Sequence, residues 1–388
     1  MRIAYLHHHL RPGGVTRVML EQVAAAAAGG HQALIIAGEE PRVRPPCPVR
    51  VAGCVAYDRD LRGEVTPASC ARSLLSEMRA VWPGGADILH VHNPTLGKNR
   101  FLLDTLRSVR DTGLRVLLQI HDFAEDGRPE NYRPGMRWPD DCHYAVLNAR
   151  DHRILRRAGL SEEGLHLLPN PVRPLTAPGT GGCDPGGHRA AGVRGGSPDP
   201  GGRHTFLYPV RAIRRKNIGE AVLLSLFLQG GDHVGVTLEP TGSLDVLSYC
   251  RWRSLVAALG LHVRFGVGVG RELGELLGRA RCMITTSIKE GFGFAFLEAW
   301  TAGLMLLGRR LPGICDDFVE RGLRLSHLYE RLVIPLSFID LECFRGQWMR
   351  CFRRRMERYG LPQEDGVVEE LFETLTQGDV VDFGMLSD

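Results

Sequence analysis

Short apolar runs alternate with longer amphipathic stretches along most of the chain, and that alternation predicts the architecture. In the first half, runs of strand length lie at residues 3–6, 33–37, 88–92, 116–121, 144–147 and 165–168. Between them, residues 15–28, 100–110 and 149–157 carry apolar side chains at helical spacing. The second half repeats the scheme, with strands expected at 206–208, 234–238, 263–265, 283–285 and 305–307, and helices at 218–228, 271–280 and 294–302. Strands alternating with helices signal βαβ units and a parallel sheet. The expected fold class is α/β, with two doubly wound parallel-sheet domains.

Two stretches break the pattern. Residues 177–203 hold ten glycines and four prolines with almost no large apolar side chain, a composition that cannot bury a core and reads as a linker or insertion. From about Ile339 the chain becomes basic, and Phe344 to Tyr359 reads as an amphipathic helix rich in arginine. A solvated helix packed on the body is the plain reading, and a weak peripheral membrane contact or a nucleic-acid contact the alternative. The expected division is 1–172 as an N-terminal Rossmann-like domain, 173–203 as linker, 204–345 as a second such domain, and 346–388 as a helical tail.

Composition narrows the classes. At 388 residues the chain exceeds one ordinary core, in keeping with roughly two domains. No apolar run approaches the roughly 18–20 residues that span a bilayer, and the apolar stretch that opens at Ile3 is too short for a secretory signal. Ten cysteines occur without a CxxC pair, which argues against structural zinc and against a disulfide frame. A cytoplasmic location is the expectation. A net charge of +4 gives no broad basic face, so nucleic acid is not an expected partner.

In open α/β sheets, ligands bind beyond the carboxyl ends of the strands. Five motifs fall there. Gly13-Gly14 follows the first strand and precedes a helix, where backbone can approach a ligand; a tight turn is the alternative. His121-Asp122 ends the strand at 116–121, where a histidine can touch a substrate hydroxyl or simply hold structure. Pro169-Asn170-Pro171 closes the first domain and fixes the chain direction there. Arg211 and Lys216 sit in the loop after the strand at 206–208; such a pair can clamp a diphosphate, and a solvated basic loop is the alternative. Glu290 and Glu298, with seven residues between them, flank Phe292-Gly293-Phe294 at the start of a helix. By spacing alone that pair is unremarkable among 44 acidic residues.

The triple histidine His7-His8-His9 invites a metal reading. Alternate residues share a strand face, and no acidic or thiol partner stands at ligand spacing, so no metal is expected. Asp58-Arg59-Asp60 has the spacing of a metal-binding acidic pair but lies in an irregular neighbourhood and reads as surface.

Taken in order, these motifs resemble the family 4 retaining glycosyltransferases, which have the GT-B fold of two facing Rossmann-like domains. The resemblance runs from Met1 to about Val319, with the glycine-rich segment as an insertion. It implies that Glu298 binds the ribose hydroxyls of a nucleotide and Glu290 the donor-sugar hydroxyls. It implies that the amides of Phe292, Gly293 and Phe294 meet the distal phosphate, and that Arg211 and Lys216 neutralise the diphosphate. Gly13 and Gly14 would approach the same diphosphate, and His121 the sugar near its anomeric carbon. The implied activity is that of a retaining, metal-independent hexosyltransferase, using a UDP or GDP sugar of the glucose or mannose type as donor substrate and no cofactor. The acceptor hydroxyl would belong to a small molecule, a saccharide or a lipid-linked glycan.

The chain departs from the family at Pro171, where glycine is usual, and at Gly303-Leu304-Met305-Leu306, which replaces a Gly-x-Pro-Val strand entrance. The region 309–337 lacks the usual glycine-rich ending, and Gly313 with Asp316-Asp317 is a candidate substitute. Competing readings are a ligand-binding protein of the same fold without turnover, and a phosphorylase or epimerase. The joint presence of Arg211, Lys216, Glu290 and Glu298 weighs against the first, and no second phosphate site stands out for the others.

Overall fold

The computed structural model describes residues 1–174 and 204–386; most of the glycine-rich segment anticipated as a linker lies outside them. The chain divides into two compact units, Met1–Pro171 with Arg358–Gly360, and Val172–Glu357 with Leu361–Asp388.

The first unit runs β1 (Arg2–His7), α1 (Gly14–Ala28), β2 (Gln32–Ala37), β3 (Val49–Val51), α2 (Pro67–Val81), β4 (Ile88–His92), α3 (Leu102–Arg110), β5 (Arg115–Ile120), β6 (His143–Val146), α4 (Ala149–Arg157) and β7 (Leu165–Leu167). Its seven strands form one sheet in the order β3-β2-β1-β4-β5-β6-β7, and every pairing is parallel. The strands are apolar on both faces, as helices on both sides require. Ala4 and Leu6 of β1 enter a core with Leu74 and Met78 of α2 and Leu106 of α3. Tyr5 points the other way, into a core with Met19 and Val23 of α1.

Two elements of this unit escape the periodicity. β3 is a three-residue edge strand, too short to show alternation. α2 starts at a capping box in which Thr66 accepts from the Ser69 amide, with Pro67 in its first turn, and its polar exposed face leaves little apolar signal.

The second unit runs β8 (Thr205–Arg211), α5 (Ile218–Leu224), β9 (His233–Leu238), α6 (Ser243–Leu259), β10 (Val263–Phe265), α7 (Leu273–Arg279), β11 (Ala280–Thr285), α8 (Phe294–Thr301), β12 (Met305–Gly308), α9 (Asp316–Glu320), β13 (Val333–Pro335), α10 (Leu341–Tyr359), α11 (Asp365–Leu375) and β14 (Val380–Asp382). Five strands make a parallel sheet in the order β10-β9-β8-β11-β12. Pro209, which lacks a ladder donor, sits where the β8–β9 register shifts, the kind of irregularity that tolerates proline in a strand.

The tail is more than one basic helix. β13 and β14 pair antiparallel, and Phe344 of α10, Phe372 of α11 and Val381 of β14 form a small core. No helix among the described residues is long and apolar enough to cross a membrane.

Candidate functional site

The strand order of the second sheet reverses between β8 and β11, so the loops leaving those neighbours diverge and open a crevice at their carboxyl ends. One loop runs from Arg211 to Asn217 and the other from Thr286 to Gly293. Tyr208, fully buried in β8, ties them together. Its hydroxyl donates to the Lys216 carbonyl at 2.6 Å, lies 3.1 Å from Ser287 Oγ, and accepts from the Thr286 amide at 3.2 Å. The Thr286 hydroxyl reaches the carbonyls of Lys216 and Asn217 at 3.1 and 3.0 Å. Lys216 therefore projects from a loop held at its own carbonyl and at that of Asn217.

The Lys216 ammonium donates to the Glu290 carboxylate, and Arg215 Nη1 lies 3.6 Å from the other carboxylate oxygen. The Lys216 and Glu290 side chains are 13% and 12% exposed, so the pair meets little solvent screening. Burial raises the Glu290 pKa, but Lys216 and Arg215 outweigh it and hold the carboxyl below its ordinary value. Glu290 is thus an anion gripped by two cations, in a crevice where a more highly charged anion can compete for them.

Arg211 lies elsewhere. It ends β8 with its side chain exposed, and Nη1 donates to the Glu239 carbonyl at 2.6 Å. Among the described residues, Arg215 and not Arg211 shares Glu290 with Lys216. The sequence motif pointed to the outer arginine; the neighbour that the turn Arg214–Lys216 swings inward carries no signal of its own.

Gly293 caps α8 in the left-handed region with φ 84°. A Cβ there would stand 2.8 Å from Phe296 Cδ2 and 3.0 Å from Ile314 Cγ2, so packing as well as φ requires glycine. The positive dipole end of α8 follows. Phe292 packs its ring against Phe294 and Phe318. Glu298 sits one turn into α8 and is buried, below Phe294 on the same helix face. Gly313, at φ 80°, donates its amide to Asp316 at 2.9 Å, and Arg310 pairs with the same carboxylate; Asp316 serves the α9 start there.

Behind the loops lies an ionic network that the sequence did not announce. Arg309, just after β12, pairs with Glu220 of α5 and with Asp382 of β14; it is 3% exposed, Glu220 0% and Asp382 7%. Tyr329 Oη and Asn217 Nδ2 each donate to the Glu220 carboxylate at 2.7 Å, and Asn217 itself is held at φ 51°. Arg214 Nη2 donates to the carbonyls of Gly384 and Leu386 at 2.9 and 2.5 Å. The end of the chain thus braces the loop that carries Lys216. Residues more than 70 positions apart meet here, which no local pattern encodes.

The first sheet reverses order between β1 and β4. Gly13 is extended at φ 170° and caps α1. A Cβ on Gly13 would meet only the Arg11 carbonyl at 3.9 Å, and one on Gly14 nothing within 4 Å. The fold itself does not demand glycine at either position. His7 ends β1, His92 ends β4, and His121 follows β5; Tyr5 aligns with His90 and His92 with Gln119, so all of these share one face. His92 Nδ1 lies 3.0 Å from His121 Nε2. His90 stacks on His92 with centroids 4.6 Å apart. Burial lowers the pKa of every one of them, of His90 to about 4 and of His121 to about 3, so the imidazoles are neutral.

The histidine triplet is anchored to backbone and to Tyr57. His7 Nδ1 donates to the His9 carbonyl and His8 Nδ1 to the Val55 carbonyl, each at 2.7 Å, and His9 Nε2 meets the Tyr57 hydroxyl at 3.0 Å. Among the described residues no group of three or more His, Cys, Asp or Glu converges to hold a metal ion. Asp58-Arg59-Asp60 is an exposed single turn.

Comparison with known proteins agrees with this architecture. Residues 249–323 match the family "Glycosyl transferases group 1", a segment that spans α6 to α9 and includes Glu290 to Glu298. The chain is 27% identical over 265 residues to the mannosylglucosyl-3-phosphoglycerate synthase of Petrotoga mobilis, covering 64% of this chain and 51% of that protein. It therefore spans about half the length of the curated relative that it matches. Among solved structures, Anabaena Alr3699/HepE with UDP and glucose aligns with a TM-score of 0.59 at 14% identity, over 85% of each chain. The catalytic domain of Starch Synthase IV from Arabidopsis thaliana, bound to ADP and acarbose, aligns with a TM-score of 0.53 at 15% identity, over 100% of this chain and 95% of that one. The fold is GT-B, two parallel-sheet α/β units with a helical C-terminal region.

Proposed function

We propose that this protein is a glycosyltransferase that moves a hexose from a nucleoside diphosphate sugar to an acceptor hydroxyl, with retained configuration and without a metal ion. The observation that carries the reading is the Lys216–Glu290–Arg215 cluster at the switch point of the second sheet, beside the positive end of α8. A diphosphate has the charge to draw the two cations toward it and free Glu290 for sugar hydroxyls. The matched family segment contains that carboxylate and Glu298, and Glu298 takes the ribose. The relative from Petrotoga mobilis is a mannosylglucosyl-3-phosphoglycerate synthase, which supports a hexose of the mannose or glucose type.

In the chemistry proposed, the acceptor attacks the anomeric carbon on the face from which the diphosphate leaves. The C1–O bond to phosphate breaks as the new C1–O bond forms, and the departing phosphate oxygen takes the acceptor's proton. Negative charge grows on the leaving group, so preorganised positive groups are the main catalytic term. Lys216 and Arg215 supply them, and Arg211, exposed at the end of β8, turns from the Glu239 carbonyl to join them in the proposed complex. For His121 and the Gly13-Gly14 turn the proposed role is contact with substrate.

Incubation with UDP-glucose or GDP-mannose and a panel of sugar, glycerate and lipid-linked acceptors tests the proposal. A new anomeric proton signal of α configuration is expected. A β-linked product would remove the retaining mechanism, and binding of nucleotide sugar without transfer to any acceptor would favour the ligand-binding alternative.

A further inference from the structure

The imidazole row of the first unit specifies which way His121 presents its proton. The planes of His92 and His121 are inclined by 24° with centroids 5.2 Å apart. Near-parallel planes and a 3.0 Å contact between nitrogens describe rings meeting edge to edge through one N–H···N hydrogen bond. Only one of the two nitrogens can carry the proton, because both imidazoles are neutral.

The other nitrogen of His92 decides between the two directions. His92 is 0% exposed, and its Nε2 is buried without a hydrogen-bond partner. Tyr5, His7, His90, Gln119 and His121 surround it, from β1, β4 and β5 and the turn after β5. Gln119 offers it no acceptor, since its Oε1 lies 2.9 Å from both His90 Nε2 and Gln22 Nε2 and its Nε2 is a buried donor without a partner of its own. If His121 donated, His92 would carry its proton on Nε2 and bury an N–H with no acceptor. If His92 donates from Nδ1, its Nε2 is a bare acceptor. An orphaned buried N–H is the rarer and costlier outcome.

We infer that His92 donates from Nδ1 to His121 Nε2, so that His121 carries its proton on Nδ1 and offers substrate a hydrogen-bond donor instead of a base. His121 is 5% exposed, and Nδ1 is neither hydrogen-bonded nor among the buried unpartnered atoms, so it is the nitrogen that reaches solvent. A neutral donor there suits a sugar hydroxyl or a phosphate oxygen. It cannot abstract a proton, in accord with a reaction in which the leaving group does so. The substrate role rests on the proposed function; the tautomer does not. His92 is a positioning residue in this account.

Long-range nitrogen–proton NMR of the ring histidines in the full chain tests the inference without any ligand. The expected His121 pattern is that of the Nδ1–H tautomer at neutral pH. In His92→Asn, whose amide can take the place of Nδ1, that pattern should persist; in His92→Phe it should shift toward the Nε2–H form that predominates in free imidazole side chains. Nucleotide-sugar turnover in His92→Phe should fall by roughly tenfold, the scale of one substrate hydrogen bond, with His92→Asn restoring most of it. An Nε2–H tautomer in the native chain overturns the inference, and so does an unaltered His121 tautomer in a folded His92→Phe. Normal turnover by His121→Ala would instead remove the substrate role of His121 and leave the tautomer standing.

Discussion

Replacing Lys216 by methionine separates the electrostatic part of this account from its packing. Methionine keeps most of the stem and removes the ammonium, so Glu290 stays 12% exposed with Arg215 Nη1 at 3.6 Å as its remaining cation. Removing one partner of a buried ion pair destabilises by roughly 3–5 kcal/mol. The residual arginine and the partial exposure place this site at the lower end, about 3 kcal/mol. The pH dependence is specific. In the native chain the Glu290 pKa is lowered, so its contribution is present above the unfolded value and is lost as pH falls through the folded one. In Lys216→Met the opposing effect of burial dominates and the folded pKa rises. The stability gap between the two proteins should therefore be full near neutral pH and close as acid protonates Glu290 in the variant. Native-state hydrogen exchange of the β8 and β11 amides reads the opening free energy of this unit alone. A gap below about 1 kcal/mol near neutral pH, the size of a surface pair, would refute the reasoning. So would a gap that is the same in acid.

Four further outcomes follow from the same account. Arg309→Met leaves Glu220 and Asp382 buried without their cation and should lower stability by roughly 3–5 kcal/mol; chemical denaturation checks it, and a loss within about 0.5 kcal/mol would mean that the network is not coupled to folding. Gly293→Ala forces a Cβ to 2.8 Å from Phe296 at φ 84°, and should cost more than about 1 kcal/mol together with nucleotide affinity, measured by denaturation and calorimetry; an unaffected protein would show that the loop adjusts freely. Transfer should persist in EDTA, and strict dependence on a divalent ion would contradict leaving-group stabilisation by side chains alone. Lys216→Ala should reduce turnover by roughly 10²–10³-fold, as for other preorganised donors, and steady-state transfer kinetics check it.

The layered fold was legible because parallel strands buried on both faces write continuous apolar runs. Ala4, Tyr5 and Leu6 are all buried, and so are Cys282, Met283 and Ile284. β3 and β14, three residues each, are too short to write any period. α6 is nearly featureless because Val246, Leu247, Leu255 and Leu259 are exposed, which blurs its apolar stripe. At the site, Lys216 is legible from its place after a strand and Glu290 through the resemblance of the ordered motifs, and the structure pairs them. Arg211 was singled out by its spacing from Lys216; Arg215 carries no such signal, because the turn that brings it to Glu290 depends on contacts with Ile288 and Lys289 after β11 and with Gly384 and Leu386. Arg309, Glu220 and Asp382 were invisible for the same reason: their meaning lies in long-range pairing. His92 falls inside the run 88–92 and carries no signal of its own; its meaning lies in the buried Nε2 and the contact with His121.

The central claim is that the second unit holds a nucleoside diphosphate through Lys216 and Glu298. Thermal shift of the native chain, Glu298→Ala and Lys216→Ala with UDP, GDP and ADP measures it directly. One nucleotide should stabilise the native chain, by roughly 2.7 kcal/mol at about 100 times its dissociation constant, and the gain should shrink in both variants. No shift with any of the three, or a full shift that survives in both variants, would contradict it.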